Sequence, residues 1–393
     1  MKYDFDKLIN RRHTNSLKWD VDEQELPMWV ADMDFETAPE ILSAIQRRLD
    51  QGIFGYSVIP EQWNEAYVNW WAKRHGFHME KEWLTFTTGV IPAISSIIRK
   101  LTTVGENVLV QTPVYHIFFN SIKNNGREVL ENRLVYDGKE YRIDFDDLEK
   151  KLAMPQTTMM LLCNPQNPSG NIWDRETLER IGELCWKHHV LVVADEIHCD
   201  LADPGYNYIP FASVSDKCRE NSVTCLAPTK AFNLAGFKTA AVSVPNQEIR
   251  RKVRRGLNTD EVAEANIFAV DAAVAAFNES GDWLDELNVY ISKNRQYVRE
   301  YIKNEIPDLK VVESHSTYLL WVDCMGASGS GTQLVEFIRE KTGLYLSEGG
   351  EFGGNGRKFF RMNIGCPRET LEDGLERLKQ GVMAYEEWAG SLC

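Results

Sequence analysis

The sequence lacks any long apolar segment. Across its 393 residues, no apolar run reaches the roughly 18 residues that a helix needs to cross a bilayer. The first residues, Met1-Lys2-Tyr3-Asp4, contain no apolar core of the signal-peptide kind. We therefore expect no contact with a membrane and a cytoplasmic location.

Basic residues are too few to outweigh the acidic ones. Lys and Arg number 44 against 58 Asp and Glu, which gives a formal charge of −14. Nucleic-acid binding needs clustered basic side chains that neutralise phosphates, and this balance argues against it. The short basic stretch from Arg250 to Arg255 is typical of the solvated face of a helix. We expect no nucleic-acid partner.

Paired cysteine motifs are also missing. The eight cysteines form no C-x-x-C pair, and several lie in apolar runs, as reduced buried thiols do. They are Cys163, Cys185, Cys199, Cys218, Cys225, Cys324, Cys366 and Cys393. We expect no disulfide framework and no metal site.

The chain does have enough apolar material for a folded protein with two lobes. Hydrophobic residues make up 43% and charged residues 26%, which excludes disordered and fibrous classes. Its length exceeds the size at which one hydrophobic core usually stops growing. We expect two structural lobes.

Short apolar runs alternate with amphipathic stretches. Four apolar runs show no polar alternation, as strands buried on both faces do. They are Val108 to Val110, Met159 to Cys163, Val190 to Ala194 and Thr239 to Val244. Helices are predicted at about Pro92 to Leu101, Arg175 to Lys187 and Ala263 to Glu279. This rhythm predicts an α/β fold with a largely parallel sheet and helices on both sides.

The last third of the chain has a different pattern. A long polar helix is predicted from about Asp282 to Glu305, and strands at Thr317 to Asp323 and Phe359 to Ile364. The glycine-rich stretches Gly326 to Gly331 and Gly349 to Gly356 are predicted loops, the second a candidate mobile loop near a site. We expect a second, α+β lobe here.

Polar residues follow several of the predicted strands. The run Val192 to Ala194 ends in Asp195, and ligands of open α/β sheets bind at the carboxyl ends of strands. A carboxylate in this place can instead cap the next helix. A second apolar run ends in Thr229 and Lys230, where a lysine can form a Schiff base. A lone lysine is otherwise a solvated surface residue.

Two turns complete the pattern. The proline- and glycine-rich stretch from Asn164 to Gly170 forces a turn that holds asparagine side chains at the sheet edge, although a turn alone also explains it. Gly89 precedes a predicted helix, and free backbone N–H groups at such a start bind phosphate. A single glycine is a weak signal by itself.

Taken together, these stretches resemble the fold-type I enzymes that use pyridoxal 5′-phosphate (PLP), the aspartate aminotransferase superfamily. Within it they are similar to the cystathionine β-lyase branch, the MalY/PatB-like C–S lyases. The resemblance covers nearly the whole chain. Its most specific marks, in the family's order, are Trp29 to Phe35, Asn167 to Gly170, Asp195 to His198 and Thr229 to Gly236.

The resemblance implies an architecture. A large PLP-binding domain over residues 46–285 would contain a mainly parallel seven-stranded sheet flanked by helices. A smaller α+β domain would be built from both termini, with residues 1–45 also forming a dimer arm and residues 286–393 its C-terminal part. It also implies a homodimer with shared active sites, in which Tyr56 reaches the cofactor phosphate of the neighbouring subunit.

Carried over residue by residue, the resemblance assigns the contacts of the PLP ring. Lys230 would hold PLP as a Schiff base, and Asp195 would keep the pyridine nitrogen protonated so that the ring accepts electrons. Tyr115 would stack on the ring. Asn167 and His198 would lie near the ring oxygen, where related aminotransferases usually have Tyr in place of His198.

For the phosphate, the resemblance nominates a set of donors in which the sequence departs from the common pattern. These donors are the N–H groups of Val90 and Ile91 after Gly89, the Thr229 hydroxyl and the Lys238 cation. Aminotransferases often have Arg at Lys238 and a phosphate-binding Ser at Ala227. Lysine gives a point charge without the bidentate fork of arginine, and as an ordinary surface lysine Lys238 needs no such role.

Substrate contacts are assigned in the same way. Arg361 resembles the arginine whose planar fork holds the substrate α-carboxylate, although a strand arginine is otherwise an exposed ion-pair former. Ala31, in the Trp29 to Phe35 stretch, is the second predicted substrate contact. The substrate would be a small-molecule amino acid.

The branch resemblance implies α,β-elimination on an L-amino acid with sulfur at Cβ. Cystathionine or a cystine-like substrate would give a thiol, pyruvate and ammonia, with the released Lys230 amine as general base. Transamination is the main alternative, because fold and cofactor are the same. The stretches Trp29 to Phe35 and Asp195 to His198 favour the lyase. A non-catalytic binding or regulatory protein on the same scaffold is the third hypothesis.

Overall fold

The computed structural model describes residues 2–391, and Cys393 lies outside this range. Within it, the other seven cysteines are free and buried. No helix of the described residues is both long and apolar enough to span a membrane. The cytoplasmic location stays a prediction.

The secondary structure alternates over the first 260 residues and is richer in helix afterwards. In chain order the strands are β1 (Leu26–Pro27), β2 (Leu84–Thr87), β3 (Asn107–Thr112), β4 (Glu128–Arg133), β5 (Val135–Tyr136), β6 (Tyr141–Arg142), β7 (Thr157–Cys163), β8 (Leu191–Asp195), β9 (Ser222–Leu226), β10 (Ala240–Ser243), β11 (Lys310–Val311), β12 (Leu319–Asp323), β13 (Leu344–Tyr345), β14 (Ser347–Glu348) and β15 (Phe359–Asn363). The α-helices are α1 (Pro39–Leu49), α2 (Glu61–His75), α3 (Val90–Leu101), α4 (Ile117–Lys123), α5 (Phe145–Leu152), α6 (Arg175–Lys187), α7 (Asp216–Glu220), α8 (Gln247–Thr259), α9 (Ile267–Glu279), α10 (Gly281–Glu305), α11 (Gly331–Thr342) and α12 (Arg368–Gly390).

A seven-stranded sheet forms the centre of the molecule. Its strand order is β2-β10-β9-β8-β7-β3-β4, and only β10 runs antiparallel to its neighbours. The middle strands are buried along almost their whole length because helices cover both faces, as expected for continuous apolar runs. The predicted α/β fold with a mainly parallel seven-stranded sheet is confirmed.

A smaller sheet joins the two ends of the chain. The strands β11, β12, β15 and β14 form an antiparallel sheet; α11 packs beside it, and α12 packs on α11. The short strand β1 pairs with β13 in parallel, with Leu26 opposite Leu344. This pairing brings an N-terminal segment onto the C-terminal region, in the way that the α+β lobe requires. The exact domain boundaries stay predictions.

Some element ends differ from the predicted ones for local reasons. The helix expected from Ala263 begins at Ile267, because the Asn266 side chain caps it by accepting from the N–H groups of Phe268 and Ala269. The strand expected from Thr317 begins at Leu319, because Thr317 has a φ of 63°, which is incompatible with an extended strand.

Candidate active site

The site is built where the parallel strands end. In the sheet register Cys163, the last residue of β7, lies opposite Asp195, the last residue of β8. Asp195 is in turn opposite Cys225 of β9. The loops after these strands carry Asn167, His198 and Lys230 to the same sheet edge, as the rule for open α/β sheets predicts.

These loops and the start of α3 enclose a cavity of about 200 Å³, which we call the inner cavity. It gathers most of the residues nominated from the sequence. The nominated residues that line it are Ala31, Gly89, Val90, Ile91, Tyr115, Asn167, Asp195, His198, Thr229, Lys230 and Lys238. The separate motifs of the sequence therefore meet in one place.

The Lys230 amine is held at the wall of this cavity. Its Nζ donates to the carbonyl oxygen of Ala31 at 2.6 Å, and the same oxygen accepts from the Tyr318 hydroxyl at 2.9 Å. Burial lowers the pKa of Lys230 to about 8, and the nearby Arg361 charge contributes to the lowering. The neutral amine is therefore accessible close to neutral pH, as a lysine that acts as nucleophile or base requires.

Asp195 is a buried carboxylate that receives few hydrogen bonds from the protein. Its Oδ1 accepts from the Ile197 N–H at 3.1 Å. Burial raises the pKa of Asp195 to about 6, although Ile197 and the Lys230 charge oppose the rise. A cation placed against this carboxylate would favour its ionised form.

Two buried polar atoms of residues that line the inner cavity have no partner among the described residues. Within residues 2–391, His198 Nδ1 and Thr239 Oγ1 lack a hydrogen bond. Burial lowers the pKa of His198 to about 3, so its ring is neutral. Because buried polar groups are normally hydrogen-bonded, these atoms indicate that the cavity takes a polar ligand.

A second space of about 660 Å³, the outer cavity, adjoins the inner one. The two share Ala31, Tyr115, Lys230, Ala235 and Lys238 as lining residues. Lys238 holds a left-handed backbone with a φ of 52°, which is uncommon for a lysine and typical of constrained functional positions.

Arg361 lines the outer cavity, although it is only 4% exposed. Its Nη1 donates to Asn167 Oδ1 at 3.1 Å, and its Nη2 donates to the Trp29 carbonyl oxygen at 2.9 Å. Its Nε has no partner among the described residues. Burial lowers the pKa of Arg361 but does not remove its charge. A buried guanidinium without a carboxylate partner is suited to bind an anion.

Tyr56 is the one nominated residue that this chain does not bring to either cavity. Its side chain is fully exposed, on an irregular stretch between α1 and α2. Its contact with the cofactor phosphate of a neighbouring subunit stays a prediction.

Sequence reasoning gave no role to Asn233, which fixes the segment from Trp29 to Phe35. Asn233 Oδ1 accepts from the Met33 N–H at 3.0 Å, and its Nδ2 donates to the carbonyl oxygens of Met33 and Phe35, each at 2.9 Å. The available signal was its place three residues after Lys230 in a motif already singled out.

Buried charges hold the other side of the same segment. Asp34 accepts hydrogen bonds from the side chains of Arg11, Lys18 and Trp19, each at 2.7 Å. Lys18 is only 1% exposed, so its charge depends on this pairing. The Ala31 carbonyl that meets Lys230 is therefore part of a firmly anchored segment.

One other group of potential metal ligands lies elsewhere in residues 2–391. Atoms of His75, Cys199 and Asp200 fall within 4.8 Å of one another. The Asp200 carboxylate is already bonded to Trp70 Nε1 and His75 Nε2 at 3.0 Å, and burial raises the pKa of the Cys199 thiol. The Asp200 carboxylate is thus already taken up by hydrogen bonds to neighbouring side chains.

Comparisons with known proteins extend over nearly the whole chain. The family model of class I and II aminotransferases matches residues 26–378. The cystathionine β-lyase PatB of Bacillus subtilis (strain 168) is 42% identical over 381 residues, covering 95% of this chain and 98% of that protein.

Two solved structures are similar to this chain over its whole fold. Cystalysin from Treponema denticola, which contains a PLP cofactor, matches with a TM-score of 0.95 and 31% identity over 98% of this chain and 100% of its own. A PLP-bound putative aminotransferase from Clostridium difficile 630 matches with a TM-score of 0.94 and 36% identity over 97% and 100%.

Proposed function

The chain belongs to the class I and II aminotransferase family, and from this premise we propose that it is a PLP-dependent carbon–sulfur β-lyase. The observation that carries the proposal is the meeting of Lys230, Asp195 and the unpartnered His198 in one cavity beside Arg361. The choice of a lyase within the family rests on the identity to PatB, to MalY and to the C–S lyase structures, which confirms the branch predicted from the four motifs.

The inner cavity fits PLP on its own chemistry. Asp195 offers a buried carboxylate to the pyridine nitrogen, and His198 has a free ring nitrogen for a polar substituent. The N–H groups of Val90 and Ile91 lie in the first turn of α3, where the helix leaves such donors free for a phosphate. Thr229 and Lys238 border the same cavity. When bound, PLP supplies an electron sink for the pair released at the substrate α-carbon.

The protein's own residues would orient the amino acid and move its proton. Arg361 would hold the α-carboxylate in the outer cavity, which places the α-carbon towards Lys230. The lysine amine, with its pKa lowered to about 8, would accept the α-proton as general base. Tyr318 and Asn233 would keep the Ala31 carbonyl where it holds that amine.

The overall reaction is balanced by one water molecule. An S-substituted L-cysteine and water give a thiol, pyruvate and ammonium, because the Cβ–S bond breaks and the carbon–nitrogen bond is then hydrolysed. L-cystathionine is an expected substrate and would release the thiol homocysteine. A cystine-type disulfide, the other expected substrate, would release a persulfide in place of the thiol. No second amino acid or keto acid takes part.

Transamination is the second candidate. It is favoured by the family model and by the likeness to the PLP-bound putative aminotransferase from Clostridium difficile 630. The same Lys230, Asp195 and Arg361 would serve it, because both reactions begin with removal of the α-proton. The two activities differ after that step: in elimination the thiolate leaves Cβ, whereas transamination passes the amino group to a keto acid.

We expect the holoenzyme to release pyruvate from L-cystathionine without any added keto acid, because elimination needs only water. A panel of S-substituted cysteines, scored by lactate-dehydrogenase-coupled pyruvate release, measures this. Alanine, which has no leaving group at Cβ, is the control substrate. Amino transfer that depends on a keto acid, with no pyruvate from the panel, would replace the lyase by the aminotransferase.

We also propose that the enzyme is a homodimer. The segment around Tyr56 exposes apolar side chains, with Ile53 at 76% and Val58 at 82% exposure, and exposed apolar patches of this kind mark interfaces. A second copy covering this segment would also bring Tyr56 to a neighbouring cavity.

Replacing both Ile53 and Val58 with aspartate should therefore shift the protein towards monomer and weaken PLP retention. Size-exclusion chromatography with light scattering measures the first effect, and cofactor absorbance after dialysis measures the second. Val104→Asp changes a similarly exposed valine, at 72% exposure, outside this segment and should leave both unchanged. A monomeric wild-type protein that retains PLP would contradict the shared-site dimer.

A further inference from the structure

The outer cavity is larger than the α-amino-acid part of a substrate requires. With the carboxylate at Arg361 and the α-carbon beside Lys230, the sulfur substituent must extend into the remaining space of this 660 Å³ cavity. That space is bordered by Trp29, Tyr345 and Glu351. Its chemistry therefore selects the leaving thiol, an inference that rests on the proposed lyase function.

Each cationic side chain that lines the outer cavity already has another partner or an assigned role. Lys230 and Lys238 also border the inner cavity, where the cofactor belongs. Arg361 has the bonds and the role described above. Arg339 donates to both carboxylate oxygens of Glu25, at 2.5 and 3.1 Å, and lies 3.5 Å from the centre of the Tyr345 ring. None of these cations is therefore available to bind the leaving group.

Glu351, in contrast, forms no ion pair with a lysine or arginine among the described residues. Within residues 2–391, its one ion-pair contact is His116, whose Nδ1 lies 3.7 Å from Glu351 Oε1. Burial lowers the pKa of His116, so the imidazole is neutral at pH 7. Burial raises the pKa of Glu351; the Arg361 charge opposes this rise, and the nearby Glu348 carboxylate adds to it. His116 Nδ1 itself has no hydrogen-bond partner.

The glycine-rich loop holds Glu351 in this place. The Val114 N–H donates to the Phe352 carbonyl oxygen at 2.9 Å, which ties the loop to the Tyr115 segment. A side chain at Gly349 would come within 2.2 Å of the carbonyl oxygens of Gly356 and Phe359, so the loop closes only with glycine there. The carboxylate is therefore presented by a fixed turn.

The opposite wall is aromatic. Trp29 stacks on Tyr345 with ring centroids 4.6 Å apart and an angle of 9° between the planes. Such a wall accommodates the methylene groups of a leaving thiol, and aromatic rings tolerate a neighbouring ammonium group. The buried Arg361, with its free Nε, marks the end of the cavity that takes the anion.

We propose that the outer cavity is a subsite for leaving thiols that carry an ammonium group, and that Glu351 is the residue that recognises this group. The preferred substrates are then cysteine thioethers whose sulfur substituent is a short aminoalkyl chain. A neutral alkyl group of the same length binds less well, and a chain that ends in a carboxylate binds least well.

Two isosteric substrates test the subsite. S-(2-aminoethyl)-L-cysteine and S-propyl-L-cysteine have leaving groups of equal length that end in ammonium and methyl. The ratio of their kcat/KM values for pyruvate release is measured with wild-type holoenzyme and with Glu351→Gln. Comparing the two ratios cancels the different acidities of the two thiols. We expect the ratio to fall about fivefold in the variant, the effect of one partly exposed charge contact.

Glu340→Gln is the matched control. Glu340 is an exposed carboxylate on α11 that does not border the outer cavity, so its loss should leave the ratio unchanged. A third substrate, S-(2-carboxyethyl)-L-cysteine, tests the subsite with the wild-type enzyme alone. In the wild-type enzyme its KM should exceed that of the propyl compound, because its carboxylate meets Glu351.

The outcomes separate the subsite from the reaction. Turnover of the substrates with an unchanged ratio in Glu351→Gln overturns the subsite and leaves the lyase function standing. A carboxyethyl KM at or below the propyl value overturns it equally, even where the variant does not fold. An absence of pyruvate from all three substrates overturns the lyase proposal and, with it, the subsite.

Discussion

Replacing Lys230 with alanine should lower pyruvate release by on the order of 10³-fold or more, the range that loss of a general base produces. The side chain has two tasks in the proposed reaction, covalent attachment of PLP and removal of the α-proton. Its amine lies at the junction of both cavities and is held at 2.6 Å from the Ala31 carbonyl oxygen. No other described lysine borders the inner cavity except Lys238, which is assigned to the phosphate.

Two measurements check the loss of Lys230, and one of them does not depend on turnover. Borohydride reduction of the wild-type holoenzyme should fix the cofactor to the peptide that contains Lys230, as seen by mass spectrometry, and the variant should show no such adduct. Lys123→Ala, which changes an exposed lysine on α4, is the control and should keep both the adduct and the activity. An adduct on another lysine in the wild-type protein would refute the assignment.

The central sheet could be predicted from the sequence because strands that are buried on both faces consist of apolar residues. Runs such as Met159 to Cys163 are apolar throughout, which is the pattern of strands covered on both sides. The composition of such a run does not depend on the direction of the strand in the sheet. The antiparallel direction of β10 in the sheet could therefore not be read from Ala240 to Ser243.

The contacts that complete the site are distant in sequence and were not predicted. Tyr318 reaches the Ala31 carbonyl across 287 positions, and Asn233 bonds to Met33 across 200. No local spacing or periodicity encodes such a pair, because it exists only once the chain has folded. Lys230 and Asp195 were predicted from their place at the ends of apolar runs together with the family resemblance, and Arg361 was predicted from the resemblance.

Asp195→Asn should reduce pyruvate release by on the order of 10²- to 10³-fold. A carboxylate against the pyridine nitrogen favours its protonated form by roughly 1 to 3 pKa units, and an amide of equal size removes that preference. The electron sink then works with only a small protonated fraction of the cofactor. Because Asn keeps the volume of the buried side chain, the effect should appear in kcat and leave the unfolding midpoint nearly unchanged.

The neighbouring Glu196 provides the matched control for Asp195. It is equally buried at the same strand end, but its Oε1 accepts from the Phe211 N–H at 2.8 Å and its Oε2 bonds to the Tyr208 hydroxyl, away from both cavities. Burial raises the pKa of Glu196 to about 8, so at pH 7 it is mostly protonated and Glu196→Gln changes little charge. We expect this variant to keep wild-type kcat and cofactor absorbance. If instead both variants lost activity equally, the loss would come from disturbing the strand end, and Asp195 would have no special part in activating the cofactor.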